Sequence, residues 1–192
     1  MGDPSSVWQA GAVTVSARSE RPSPAVANSD DRVHTPRRAA RVLLVDAAGR
    51  VLLFEGFDPA RPGHRYWFTP GGGLDPLESP AAGAARELAE ETGLLLDPAA
   101  LGEPVWSDAT EFSFDGVWYR QEQDFFLFRV DSWRVDTTGF NDIERRSIAG
   151  HRWWLPDELA ASGDRFYPPE LPALLTRLGQ PATTGQEEET SC

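Results

Sequence analysis

Residues 79–93 are delimited so sharply that the rest of the chain has to fold around them. Ser79 suits the N-cap, where its hydroxyl can accept an orphan backbone N–H, and Pro80 suits the first helical position. Strong helix formers fill residues 81–92, and Gly93 is a natural left-handed residue after the last turn. At about 100° per residue, Glu87, Glu90 and Glu91 stand at i, i+3 and i+4 and share one face. Gly83 lies one turn earlier on that face and leaves room above it. Ala81, Ala84, Ala85, Leu88 and Thr92 take the other side, which predicts a helix laid on a sheet.

The segments on either side read as strands. Residues 41–46 (RVLLVD) and 51–54 (VLLF) predict a hairpin turning at Gly49. Residues 57–64 hold Pro59, Pro62 and Gly63 and read as loop, and 66–69 as a short aromatic strand stopped by Pro70 and three glycines. Residues 97–101 suggest a turn. Residues 109–114 and 117–130 alternate around Asp115-Gly116, a second hairpin, and 151–155 a further strand. Residues 156–161 and 169–178 read as two late helices. Strands dominate around one central helix, so the expected class is α+β with a mixed sheet. Residues 1–37 and 181–192 show little periodicity and read as flexible tails. That leaves one domain over 38–180; the full 192 residues are too few for two domains of ordinary size.

The formal net charge is −12, with 30 acids against 18 bases. That balance argues against a general nucleic-acid clamp, which needs a basic face. It admits a small phosphorylated substrate, because clustered carboxylates can recruit a cation that meets the phosphate. Every base is Arg, so Schiff-base lysine chemistry is excluded. No apolar run approaches a membrane span, and the N-terminus, with Asp3 and no apolar stretch, predicts no secretory signal. The single cysteine, Cys192, allows no intrachain disulfide and points to a reducing compartment, the cytoplasm.

Three glutamates on one helical face repel one another and raise one another's pKa. A hard divalent cation, Mg²⁺ or Mn²⁺, turns that cost into binding, since it prefers oxygen ligands. An isolated E-x-x-E-E would read as a solvated acidic face, but Gly71, Gly72 and Gly73 lie just upstream. A glycine-rich turn bares backbone groups to a metal or phosphate. Glu78, just before the N-cap, and Arg86 on the helix can bridge and fix that loop against the acidic face.

Together these residues spell G-x5-E-x7-R-E-U-x-E-E-x-G-U, with U a bulky aliphatic residue: Gly72, Glu78, Arg86, Glu87, Leu88, Glu90, Glu91, Gly93 and Leu94. The chain resembles the Nudix hydrolases, whose box this is, without departure over residues 72–94. The wider resemblance runs from about residue 38 to 178. It implies an α/β/α sandwich around a mixed sheet. It also implies hydrolysis, with Mg²⁺ or Mn²⁺, of a nucleoside diphosphate linked to another moiety. By the same resemblance Glu87, Glu90 and Glu91 hold metal, the Gly71 carbonyl is a further ligand, and Arg86 and Glu78 orient loop and helix.

The general base is open at this level. Related enzymes often place a glutamate before a late Trp-bearing strand, and Glu144, ahead of Trp153 and Trp154, is the candidate. Glu111, Glu122 and Asp142 are rivals, Glu87 could serve itself, and Glu144 could simply pair with Arg145 or Arg146. Trp106, Trp118, Trp133, Trp153 and Trp154 read as core or dimer surface, so a homodimer stays open. His64 and His151 read as loop or strand-end residues, and Arg65 and Arg120 as solvated surface. The rival functions are a non-catalytic Nudix domain that binds a nucleotide, and an isomerase or interaction module on the same fold. ADP-ribose, dinucleotide polyphosphate and nucleotide-pool enzymes share the box. The region about 15 residues beyond it, around Thr110, lacks the proline that ADP-ribose enzymes often carry.

Overall fold

A computed structural model describes residues 33–179. Strand β1 (Thr35–Val45) leads through a turn into β2 (Val51–Asp58), followed by β3 (Arg61–Phe68) and the short β4 (Gly71–Gly73). Helix α1 (Pro80–Thr92) and a 3₁₀ turn (Pro98–Leu101) precede the hairpin β5 (Trp106–Phe114) and β6 (Val117–Arg129). Then come α2 (Asp142–Ser147), β7 (Ile148–Trp154), α3 (Pro156–Ala161), β8 (Phe166–Tyr167) and α4 (Leu171–Gly179). The class is α+β with a mixed sheet, as expected. No helix among the described residues is long and apolar enough to cross a membrane.

The sheet runs β5-β6-β1-β2-β3-β8, and two further strands make it fork. β1 lies parallel to β6 along its whole length, from Thr35 opposite Tyr119 to Val45 opposite Arg129. On its other edge β1 meets β2 only at Val45 and Val51. Beyond that point β4 takes the β1 edge, Ala39 to Arg41 facing Gly73 to Gly71. β3 takes the corresponding edge of β2, with Phe54 opposite Phe68, while β7 runs along the far edge of β2. β1 and β2 thus diverge on either side of β3 and β4.

Both faces of the sheet are covered, which explains why residues 42–45 form an unbroken apolar run rather than an alternating one. Val42 and Leu44 join Leu52, Phe126, Ala84, Ala85 and Leu88 beneath α1. Leu43 and Val45 face the opposite way, with Val51, Leu53, Phe125 and Trp154, against Leu159 of α3 and Leu171, Leu174 and Leu175 of α4. The result is a helix–sheet–helix sandwich.

Three expectations change. Residues 57–64, read as loop, extend β2 and β3 into a hairpin that pairs Asp58 with Arg61. Pro62 and Gly63 are tolerated there because β8 pairs with β3 only at Trp67 and Phe68, leaving residues 61–66 as an edge. Residues 142–147, assigned to no element from the sequence, form the short α2. β1 takes in residues 35–37, placed with the N-terminal tail because their exposed, polar pattern carries no core signal. Residues 1–32 and the C-terminal tail 181–192, with Cys192, lie outside the described residues.

Leu88 is fully buried at the centre of the α1 packing. Leu88→Ala should lower stability by roughly 2–5 kcal/mol, measured as a fall in urea midpoint at unchanged slope.

Candidate active site

The caps of α1 fix where its glutamates fall. Ser79 Oγ accepts from Ala82 N at 3.2 Å, and Gly93 closes the helix in the left-handed region at φ 73°. Glu87 and Glu91 project toward β4 and are only 8% and 2% exposed. Gly71 N donates to Glu91 Oε2 at 2.7 Å. A Cβ at Gly72 would stand 2.6 Å from Glu87 Oε1, so any side chain there would displace the carboxylate. Gly71 adopts φ 127°, and a Cβ on it would run into the Ala40 carbonyl.

Arg86 ties loop to helix. Its Nε and Nη2 donate to the two oxygens of Glu78, each at 3.0 Å, its Nη2 also to Gly73 O at 2.9 Å, and its Nη1 to Glu87 Oε1 at 2.9 Å. Glu78 accepts further from Asp75 N at 2.9 Å. The Arg86 hydrogen bonds hold the Glu78 carboxyl below its usual range, and Glu78 in turn raises Arg86. The bridge between Glu78 and Arg86 that the sequence allows is formed.

The third carboxylate comes from α2. Oxygens of Glu87, Glu91 and Glu144 lie within 4.8 Å of one another. Glu144 is held by a capping box: Asn141 N donates to its Oε2 at 2.8 Å and Asn141 Nδ2 to its Oε1 at 2.6 Å. Each carboxylate oxygen therefore keeps a lone pair free. Burial raises Glu91 well above the ordinary glutamate range and Glu87 less so; the neighbouring carboxylates, including Glu144, push the same way. Three acids crowded together, each offering hard oxygen, are the donor set a divalent cation would fit.

Glu90 is not brought into this group. Its carboxylate is exposed, 3.6 Å from Arg86 Nη1. The helical angle explains it: Glu87 and Glu91 differ by about 40° around the axis, whereas Glu90 stands about 100° from Glu91. Among the rivals for the base, Glu111 is exposed on β5 near His34 and Arg120, Glu122 is exposed on β6, and Asp142 pairs with Arg145.

A cavity of about 600 Å³ opens over the carboxylates, lined also by Arg37, Arg41, Tyr66, Phe112, Trp118 and Tyr119. Arg41 escaped the sequence reading. It sits half-buried on β1 and donates to Thr69 O at 3.0 Å, Gly71 O at 3.2 Å and Gln123 Oε1 at 2.9 Å. Burial pulls it below its usual range, against the opposing charge of Glu91. Its one sequence signal is a charge abutting an apolar strand; Gln121 and Gln123, buried at period two in β6, are another such signal. Trp118, expected in the core or at a dimer surface, lines the cavity, and His64 and His151 lie within β3 and β7 rather than in a loop or at a strand end. Trp106 packs on Phe125, Trp133 Nε1 donates to Thr92 O at 2.9 Å, and Trp154 is core. His64 meets Arg165, and Arg65 pairs with Glu55.

The NUDIX domain family description matches residues 35–174. The chain belongs to the Nudix family. This Nudix hydrolase is 35% identical over 133 residues to the RNA pyrophosphohydrolase of Erythrobacter litoralis (strain HTCC2594), a match spanning 64% of this chain and 78% of that protein. Its fold is similar to that of the MutT protein from Methanosarcina mazei Go1, at 18% identity, 75% and 93% coverage and a TM-score of 0.55. It is likewise similar to the MutT NUDIX hydrolase from Burkholderia pseudomallei, at 20% identity, 76% and 99% coverage and a TM-score of 0.54.

An acid whose folded pKa is raised above the ordinary value of 4.5 destabilises the fold at neutral pH, and the cost fades as pH falls toward that value. In EDTA, Glu91→Gln should therefore melt above the wild type at pH 7, with the gap closing toward pH 4.5. Parallel thermal melts across that range check it.

Proposed function

We propose that this Nudix hydrolase cleaves a phosphoanhydride bond in a nucleotide-type diphosphate, with Mg²⁺ or Mn²⁺ bound at Glu87, Glu91 and Glu144. The observation that carries the reading is the meeting of those three carboxylates from two distant helices within 4.8 Å. The Gly71 carbonyl, beside Glu91, offers a further oxygen. Glu90, at the solvent edge of α1, would act on the outer side of the group. A cation held there supplies neutralisation of charge on the phosphoryl oxygens.

The chain's own residues do the rest. Glu144, half-buried and oriented by Asn141, faces the cavity and would accept the proton of the attacking water at a carboxylate oxygen. Glu87 is less suited, because Arg86 already occupies its Oε1. Arg86 and Glu78 keep the glycine turn and α1 in register. The relative's name, an RNA pyrophosphohydrolase, supports anhydride cleavage as the reaction class and adds a 5′-phosphorylated RNA end to the substrates worth assaying. The lone cysteine supports a cytoplasmic setting.

Turnover should be metal-dependent. A panel of ADP-ribose, dinucleoside tetraphosphate, nucleoside triphosphates and a 5′-triphosphorylated RNA oligomer, analysed by mass spectrometry with Mg²⁺ and with EDTA, tests it. Glu91→Gln should cost at least ~10²-fold in rate. Near-normal turnover in EDTA would refute the metal role, and tight binding without turnover would favour a ligand-binding domain.

The base is tested separately. Glu144→Gln should lower kcat by roughly 10²–10⁴-fold, while Glu111→Gln, Glu122→Gln and Asp142→Asn stay within about twofold, as surface charges do. A defect in Glu144→Gln that shrinks as Mg²⁺ rises would make Glu144 a metal ligand only. Collapse of the Glu122 variant alone would move the base to β6.

A further inference from the structure

The alternation of β6 sends Tyr119, Gln121 and Gln123 to one side of the strand, and all three line the cavity. On β5, Phe112 stands opposite Tyr119 and Thr110 opposite Gln121, and both line the cavity as well. Gln121 is only 1% exposed, an amide buried in a wall that a valine or leucine could have filled.

The orientation of that amide is fixed from β1. A guanidinium donates hydrogen bonds and accepts none. Arg41 Nε meets Gln123 Oε1 at 2.9 Å, so Gln123 must turn its oxygen, and not its nitrogen, to the arginine. The same oxygen accepts from Gln121 Nε2 at 2.9 Å. Turning Gln121 over would set two amide oxygens against each other, and turning both amides over would set Gln123 Nε2 against Arg41. Gln121 therefore gives its nitrogen to Gln123, and its Oε1 is buried and accepts from no described residue. Arg37, opposite Gln121 in the ladder, lies against the Tyr119 ring instead, 5.9 Å from its centre.

A buried acceptor held without a donor is a cost that an apolar side chain of similar size would avoid. Two residues along β6, Tyr119 stacks on Phe112 with centroids 5.5 Å apart and gives the same face a flat apolar wall. A heterocycle lying along that wall would bring its polar edge to Gln121. The group that edge must carry is a donor, because the amide nitrogen is already engaged. Gln123 and Arg41 link Gln121 to the Gly71 carbonyl, so the acceptor belongs to the same cavity as the carboxylates but stands outside their group.

We infer that Gln121 is a specificity residue for the nucleobase of the substrate: its Oε1 accepts a hydrogen bond from a ring or exocyclic N–H of the base, beside Phe112 and Tyr119. The inference rests on the nucleotide reading above and deepens it. Gln123 and Arg41 are positioning residues that fix which end of the amide is free.

The test measures binding to the full chain in Mg²⁺ by calorimetry. The probes are α,β-methylene diphosphates, which resist hydrolysis, of adenosine, guanosine, cytidine and uridine. The corresponding compounds of purine riboside and 2-pyrimidinone riboside carry the same rings with no N–H on the base, and the 2′-deoxy form of the tightest ligand probes the sugar. The readout is the ratio of Kd for the donor-free ring to Kd for the preferred base of the same ring type. In wild type it should be roughly 10–100, the loss expected when a buried acceptor is left unpaired. In Gln121→Leu it should fall to within about twofold of one, with the donor-free ligand bound much as before; a general structural defect would weaken both ligands and leave the ratio standing. Gln123→Leu, which frees the Gln121 amide to turn over, should also lower the ratio. Gln121→Met carries the test if the leucine variant does not fold. A ratio that survives in the Gln121 variants overturns the inference, as does a wild-type ratio within twofold of one. So does a Gln121-dependent loss on removing the 2′-hydroxyl with none on removing the base N–H, which would place the sugar there. Turnover of phosphoanhydride substrates without a Gln121-dependent ratio removes the inference alone. A Gln121-dependent ratio in a chain that cleaves none of them keeps the base subsite and removes the hydrolase reading.

Discussion

Two carboxylates one helical turn apart, both buried, impose the constraint around which this protein is arranged. Glu87 and Glu91 are 8% and 2% exposed, and burial of like charges disfavours the ionised state. Each feature nearby answers part of that cost. The Gly71 N–H and the Arg86 guanidinium reach one oxygen each, and Arg41 supplies a nearby positive charge. What they leave uncompensated is a set of hard oxygens facing a cavity, the condition under which a divalent cation binds well. The glycine turn follows from the same constraint, because side chains at 71 and 72 would strike the β1 backbone and the Glu87 carboxylate.

The forked sheet gives the carboxylates their surroundings. Because β1 meets β2 only at Val45 and Val51, β4 can lie against β1 and present its backbone to α1. β3 fills the matching place beside β2, and α2, leading into β7 on the far edge of β2, delivers Glu144. β1 itself serves three surfaces. Val42 and Leu44 pack under α1, Leu43 and Val45 under α3 and α4, and Arg37 and Arg41 reach the cavity. Arg41 joins the turn at Thr69 and Gly71 to Gln123 of β6, so the two halves of the fork are linked beneath the site.

Legibility followed the range of the interactions. Helix α1, its two caps, its packing face and the Arg86–Glu78 bridge lie within 16 residues, and local chemistry specifies them. The β5–β6 hairpin was legible for the same reason, through alternation around Asp115 and Gly116. The extension of β2 into β3 was not, because Pro62 and Gly63 mark a loop unless the strand is known to be an edge. Helix α2 is too short for an apolar period to show; its signal was the Asn141–Glu144 capping box alone.

By itself the sequence determined the acidic helix, the glycine turn before it, the apolar run of a doubly covered strand and the family these spell. The tertiary structure decided which carboxylates share a site. It left Glu90 at the solvent edge of α1 and brought in Glu144 from more than fifty residues away. It also placed Arg41 on Gln123, 82 positions along the chain. The physical reason is range. Capping, helical periodicity and turn chemistry act over a few residues and are written in order along the chain. Burial and the meeting of charges depend on strands that become neighbours only when the sheet closes.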